Sequence, residues 1–224
     1  WLAHMESSGL SAPTIKQRLA AVRHLFQSLA REHIVRINPA AVVRGPSHSV
    51  KRGKTPVLTA DEARQLLDAI NSDTLVGLRD RAMIATMVYT FARIGAVTAL
   101  TIDDVFHQQR RVWLRLSEKG GKQQQVPCHH SLEGYLDAYM QAAGLDGDRG
   151  APLFQTLQRS GPRTTPAAPD DPDQRPKSDW KLSGKPMTQP IAWAMVQRRA
   201  ADAGLDTAVC NHTFRATGIT TYLK

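Results

Sequence analysis

A chain of 224 residues with 42% hydrophobic residues and a net charge of +9 has the make-up of a folded protein, long enough for one large domain or a small and a medium one. No apolar run approaches membrane-spanning length, and the opening Trp1-Leu2-Ala3-His4 lacks the basic and apolar segments of a signal peptide. Two cysteines, Cys128 and Cys210, exclude a disulfide framework and make a reducing cytoplasm the expectation.

The start carries no Met, so the chain is expected to begin inside a longer protein. The positive charge points to a polyanion, either nucleic acid or an anionic membrane surface. Residues 1–54 hold nine Lys and Arg against Glu6 and Glu32, so seven of the nine net charges lie there. A local excess of this kind suits a module that grips DNA.

Ser11 can cap a helix with Pro13 in its first turn. Ile15, Leu19, Val22, Leu25, Phe26 and Leu29 follow at helical spacing, so the segment needs something to pack on. Lys16, Arg18, Arg23 and Arg31 decorate the same helix. Asn38-Pro39 and Gly45-Pro46 end this first module, residues 1–46, in turns. Residues 47–56 read as a basic linker with Lys51, Arg52 and Lys54. It can lie along a duplex backbone or serve as a solvated hinge; the sequence supports both.

Thr59-Ala60-Asp61-Glu62 is a capping box opening a second module, residues 57–224. A helix is expected over Leu78–Phe91, leading into Ala92-Arg93-Ile94-Gly95-Ala96. An Arg between apolar residues is expected to be buried with an anionic partner. Asp103 and Asp104 are structural candidates; a ligand is the other. Val112–Leu116 and Gln124–Pro127 read as a hairpin whose tip, Glu118-Lys119-Gly120-Gly121-Lys122, carries two lysines. Such lysines are usually solvated, but the Gly pair lets the tip enter a groove. Leu132, Tyr135, Leu136, Tyr139 and Met140 define a helix stopped by Gly144. Residues 158–187 are rich in Pro, Gly, Asp and Arg and read as a flexible insertion. Helical pattern resumes at Thr188 and ends at Gly204.

Asn211-His212-Thr213-Phe214-Arg215-Ala216-Thr217-Gly218 then sets an imidazole and a guanidinium three residues apart at a helix start, with Asn211 as the expected cap. The natural partner of such a group is a phosphate.

The order Arg93, a lysine on a β-hairpin, and His212-x-x-Arg215 resembles the tyrosine recombinases, or phage-type integrases. The segments Phe91–Ala96 with Leu100–Val105, Glu118–Lys122 with Val126-Pro127, and His212–Arg215 carry the likeness, which extends over the whole chain. The resemblance implies a mainly α fold with a small β-sheet: a helical core-binding module followed by a catalytic domain. It also implies that Arg93 and Arg215 clamp a scissile phosphate. His212 would donate to a phosphate oxygen or help accept the nucleophile's proton. Lys119 would protonate the departing 5′ oxygen, with Lys122 as its rival in that role. No metal and no cofactor is implied, because a 3′-phosphotyrosyl link stores the bond energy. The implied partner is double-stranded DNA, gripped by Lys16, Arg23, Lys51, Arg52, Lys54 and Lys122. Self-association on it, a tetramer when complete, and a bacterial, nucleoid-associated location follow the family.

Three departures stand out. The family's second His or Trp and its nucleophilic Tyr follow the HxxR helix by several turns, and the sequence stops at Lys224. Tyr222 lies about 10 Å along the helix from Arg215 and is read as packing. Ala96 stands where the family often has an acidic residue, which alters how Arg93 is supported. The chain is therefore expected to bind DNA without cutting it. A non-cleaving DNA-binding derivative of the fold is one alternative. A metal site from Cys128-His129-His130 and Cys210-x-His212 is another, though the spacing lacks the usual ligand pairing.

Overall fold

The computed structural model describes residues 1–49, 55–118, 120–145, 147–159 and 180–222. Lys51, Arg52, Lys54, Lys119 and the side chain of Tyr222 lie outside the described residues. The chain divides into two compact units, Trp1–Lys54 and Thr55–Lys224.

The first unit holds α1 (Leu2–Ser7), which the sequence did not announce, and α2 (Ala12–Arg31). Pro13 fits the first turn of α2, where its missing N–H costs nothing. Ser11 occupies the cap position, but its hydroxyl pairs with the Thr14 hydroxyl at 2.9 Å instead of with a backbone amide. Of the expected apolar face only Ile15 and Leu19 are buried, together with Met5 and Ala40; Leu25 is 57% exposed. Arg23 donates to the carbonyls of Ala40, at 3.2 Å, and Val43, while Asn38 Nδ2 donates to Arg23 O at 3.0 Å. These bonds fold the Asn38–Val43 loop back on the helix.

The second unit is mainly helical with two small antiparallel sheets. Its α3 (Ala60–Asp68) begins with the expected capping box: Glu62 N–H donates to Thr59 Oγ1 at 3.1 Å and Thr59 N–H to Glu62 Oε2 at 2.7 Å. Thr207 Oγ1 donates to the other Glu62 oxygen at 2.5 Å, tying this cap to the loop before the last helix.

α4 (Leu75–Thr90) runs through the middle of the core, with Ala82, Met83, Ile84, Ala85 and Met87 fully buried. It starts three residues earlier than the pattern suggested. Thr74 caps Gly77 N–H at 3.1 Å, and a Cβ at Gly77 would lie 1.7 Å from Asn71 O. The glycine that weakens the helical signal is thus required by close approach.

After α5 (Ile94–Thr98) and a 3₁₀ turn, strands β1 (Val105–Gln108), β2 (Arg111–Glu118) and β3 (Lys122–Pro127) form an antiparallel sheet in that order. The expected hairpin is β2–β3. β1 escaped notice because its turn to β2 uses Gln109 and Arg110 at φ 49° and 66°, a positive-φ pair without the glycine that normally marks one.

α6 (His130–Ala143) ends at Gly144 in the left-handed region, as expected. β4 (Gln155–Arg159) and β5 (Trp180–Pro186) then pair antiparallel. Both ends of the stretch expected as flexible insertion are therefore strands; residues 160–179 lie outside the described residues. The pairing is secured by Gly184 N–H donating to Gln155 Oε1 at 2.9 Å and by a Thr156–Ser183 hydroxyl contact of 2.6 Å. Apart from the Leu157–Leu182 pair in the ladder the strands are mostly polar, so they show little apolar signal. α7 (Gln189–Asp202) and α8 (Asn211–Tyr222) complete the unit. Among the described residues no helix is long and apolar enough to cross a membrane.

Candidate phosphate-binding site

α4 ends at Phe91 in the left-handed conformation (φ 53°, ψ 21°), and Ala92 is buried. Arg93 is next, at the extended N-cap position of α5. This turn directs Arg93 outward: its side chain is 44% exposed, although Ala92 and Ile94 on either side are buried. The expectation that Arg93 itself is buried is corrected by that turn. Its partner is neither Asp103 nor Asp104. Asp103 lies 3.9 Å from Arg149 and Asp104 lies 3.6 Å from Arg115.

Arg93 pairs with Glu118, the last residue of β2. Nη1 makes a close ion pair with Glu118 Oε2, and the Arg93 backbone N–H donates to Oε1 at 3.4 Å. Arg215 on α8 reaches the same carboxylate, its Nη1 3.8 Å from Oε1, and donates to Phe91 O at 3.0 Å. Thus two arginines far apart in the chain meet on one carboxylate. The carboxylate is 11% exposed and Arg215 is 35% exposed. Burial pushes the Glu118 carboxyl up, but the Arg93 hydrogen bonds and the charges of Arg93 and Arg215 outweigh it and hold the group below its ordinary value.

Gly218 fixes the register of this contact. A Cβ there would lie 1.9 Å from the Phe91 ring, so only glycine lets Phe91 seat against α8 with its carbonyl under Arg215. Asn211 is the first helical residue of α8 and not its cap. The Thr213 hydroxyl accepts from Cys210 N–H at 3.0 Å and closes the turn, while Asn211 Oδ1 is buried without a partner. His212 is exposed at the start of the helix, one turn before Arg215.

The structure therefore brings Arg93 and Arg215 together and leaves His212 open on the same helix. Lys122 is exposed at the start of β3, in register with Glu118. Of the residues expected to grip DNA in the first unit, Lys16 is exposed on α2, whereas Arg23 is engaged with loop carbonyls. Glu118, Phe91 and Gly218 were not expected at the site. Glu118 was findable: Val112, Leu114 and Leu116 are the buried face of β2, and strand alternation puts residue 118 on that face. A carboxylate at such a position needs a cation.

The rival metal cluster is not assembled. His129 stacks on Tyr89 with ring centroids 4.7 Å apart, and its Nδ1 accepts from Ser131 N–H at 3.3 Å. Cys128 is buried, and burial, with Glu133 and Asp137 adding, pushes its thiol up to about 12. Among the described residues no three His, Cys, Asp or Glu are placed to hold a metal.

The sequence profile of the phage integrase family matches residues 56–224. The chain belongs to that family. Among particular relatives it is similar to the tyrosine recombinase XerD of Mycobacterium tuberculosis, 32% identical over 213 residues, covering 93% of this chain and 60% of the relative. It is also similar to XerC of Pseudomonas aeruginosa, 31% identical over 179 residues, covering 75% of this chain and 54% of the relative. The chain thus spans about 60% of the length of the XerD relative. Its fold matches the XerH site-specific recombinase in a post-cleavage complex with its difH substrate, with a TM-score of 0.70 at 20% identity, covering 96% of this chain and 57% of that one. It matches a lambda integrase tetramer bound to a Holliday junction with a TM-score of 0.66 at 17% identity, covering 100% of this chain and 57% of that one.

Proposed function

We propose that this chain is the DNA-engaging part of a tyrosine-type site-specific recombinase, acting on double-stranded DNA as a multimer in the bacterial cytoplasm. One observation carries the reading. Arg93 and Arg215 converge on a single anion while their side chains stay 44% and 35% exposed. Each guanidinium has N–H groups in a planar fork that matches a phosphate bidentately. In strand cleavage a tyrosine oxygen would attack phosphorus and form the 3′-phosphotyrosyl bond as the bond to the 5′ oxygen breaks. The two arginines would offset the charge gained by the phosphoryl oxygens in the transition state. His212 would take the tyrosine proton or donate to a phosphoryl oxygen. Lys119, or Lys122 in its place, would give a proton to the departing 5′ oxygen.

The tyrosines with described side chains have other tasks. Tyr89 stacks on His129, Tyr135 lies beneath Arg81, and Tyr139 is buried and donates to Leu153 O at 2.8 Å. In this proposal none of these three tyrosines is the nucleophile.

The test extends the chain with the tyrosine-bearing segment of a relative and offers a pool of nicked duplexes that trap covalent intermediates. An adduct that survives denaturation is expected, and none with Arg215→Ala. Absence of adduct with the extended chain would favour a protein that binds DNA without cleaving it. In duplex binding, Lys16→Ala is expected to lower the slope of log affinity against log salt by about 1.

A further inference from the structure

We propose that Glu118 is a positioning residue of the arginine pair, supplying from the end of β2 the carboxylate that position 96 lacks. The inference rests on the phosphate-clamp reading above. Three observations carry it. First, Ala96 is buried on α5 and has no polar side chain, so α5 offers Arg93 no support of its own beyond the turn. Second, Glu118 binds Arg93 twice, at the guanidinium and at the backbone N–H, and also faces Arg215. It therefore fixes β2 to the N-terminus of α5 and to α8 at one point. Third, the exposures are ordered in a particular way: the carboxylate is 11% exposed while Arg93 is 44% exposed. The anion is thus more enclosed than the cations it holds, whereas a carboxylate that plugged the site would be the more exposed group.

The consequence is an oriented pair. Arg93 gives one edge to Glu118, and Arg215 anchors on Phe91 O. The side chains are 44% and 35% exposed, which leaves the other N–H groups of the pair for an incoming phosphate. Ordering two long side chains in advance removes entropy that binding would otherwise have to supply. Glu118 also directly precedes Lys119 in sequence.

Affinity alone does not decide the matter, since removing a negative charge beside two arginines strengthens attraction for any anion. Orientation does. Rotation of the Arg93 guanidinium about its Nε–Cζ bond can be followed by NMR in the 224-residue chain, with inorganic phosphate as the probe ligand. Without phosphate, E118Q and E118A are expected to speed this rotation at least about tenfold, and E118D to restore part of the restraint. The melting temperature, measured alongside, reports any general loosening. Rotation unchanged in both E118Q and E118A would overturn the proposal. So would phosphate shifting the arginine signals in those variants while leaving the wild type untouched, because Glu118 would then be a plug. Failure of phosphate to shift the arginine signals in any form would count against the clamp itself, while the rotation rates would still decide the role of Glu118.

Discussion

The second unit contains two carboxylates that each hold arginines, and they differ in what surrounds them. Asp80 on α4 is fully buried and takes Arg79, with Oδ1 at 2.6 Å from Nη2, and Arg199 from α7, with Oδ2 at 2.9 Å from Nη2. Arg79 is 7% exposed and Arg199 16%, while a third arginine, Arg198, reaches Oδ2 only at 3.5 Å and is 55% exposed. Arg79 also donates to Gln155 O at 3.0 Å, so α4, α7 and β4 close around one charge. Glu118 is nearly as enclosed as Asp80, yet its arginines are open. The same chemical group thus serves two ends. Where two guanidinium groups are walled in around the carboxylate, the cluster is a joint between elements, and the exposed Arg198 only adds to its rim. Where they face water, the cations remain available to a ligand.

The sharpest way to break this contrast is at Asp80. Asp80→Asn leaves Arg79 buried with its charge uncompensated, and a loss of about 3–5 kcal/mol is expected in denaturant unfolding. A loss under about 1 kcal/mol would show that the buried cluster is not the joint described. Gly218→Ala is the next largest: the added Cβ must push the Phe91 ring away, at about 1–3 kcal/mol. Because Phe91 O anchors Arg215, the same variant is expected to free the Arg215 side chain in NMR; a stable protein with Arg215 still fixed would contradict the packing argument. Arg215→Ala is expected to cost only about 0.5–1.5 kcal/mol, the worth of a partly exposed hydrogen bond, while abolishing adduct formation in an extended chain. A stability loss as large as that of Asp80→Asn would erase the distinction between the two clusters.

The smallest effect is in acid. Glu118 is held below its ordinary value in the folded protein, so the unfolded chain binds the extra proton first. The contribution of Glu118 to stability is complete above the unfolded carboxyl pKa of about 4.3 and is lost as pH falls through the lower folded value. The stability difference between wild type and Glu118→Gln should be flat near neutrality and shrink only below about pH 4. A difference that instead changes near neutrality would mean that Glu118 is not held by the arginines.

Much of the fold was legible where one signal dominated. The Thr59–Glu62 capping box, the Gly144 stop and the β2–β3 alternation each have a local cause, and each stands where the sequence put it. The parts that were not legible lack the residue types that usually mark them. β1 is turned by two non-glycine residues, β4 and β5 are mostly polar and far apart in sequence, and α4 starts before a glycine that the close approach of Asn71 O demands. The site divides in the same way. Arg93, His212 and Arg215 carry chemistry that a sequence displays. Glu118 and Gly218 work through what they touch, and the partner of Arg93 was sought in the neighbouring Asp103 and Asp104 when it lay at the end of β2.

The most direct measurement is a structure of the chain bound to duplex DNA. One backbone phosphate contacted by both Arg93 and Arg215 at about 3 Å is expected, with Glu118 still paired to Arg93. Arginines that reach two different phosphates, or that stay on Glu118 with no phosphate between them and the solvent, would contradict it.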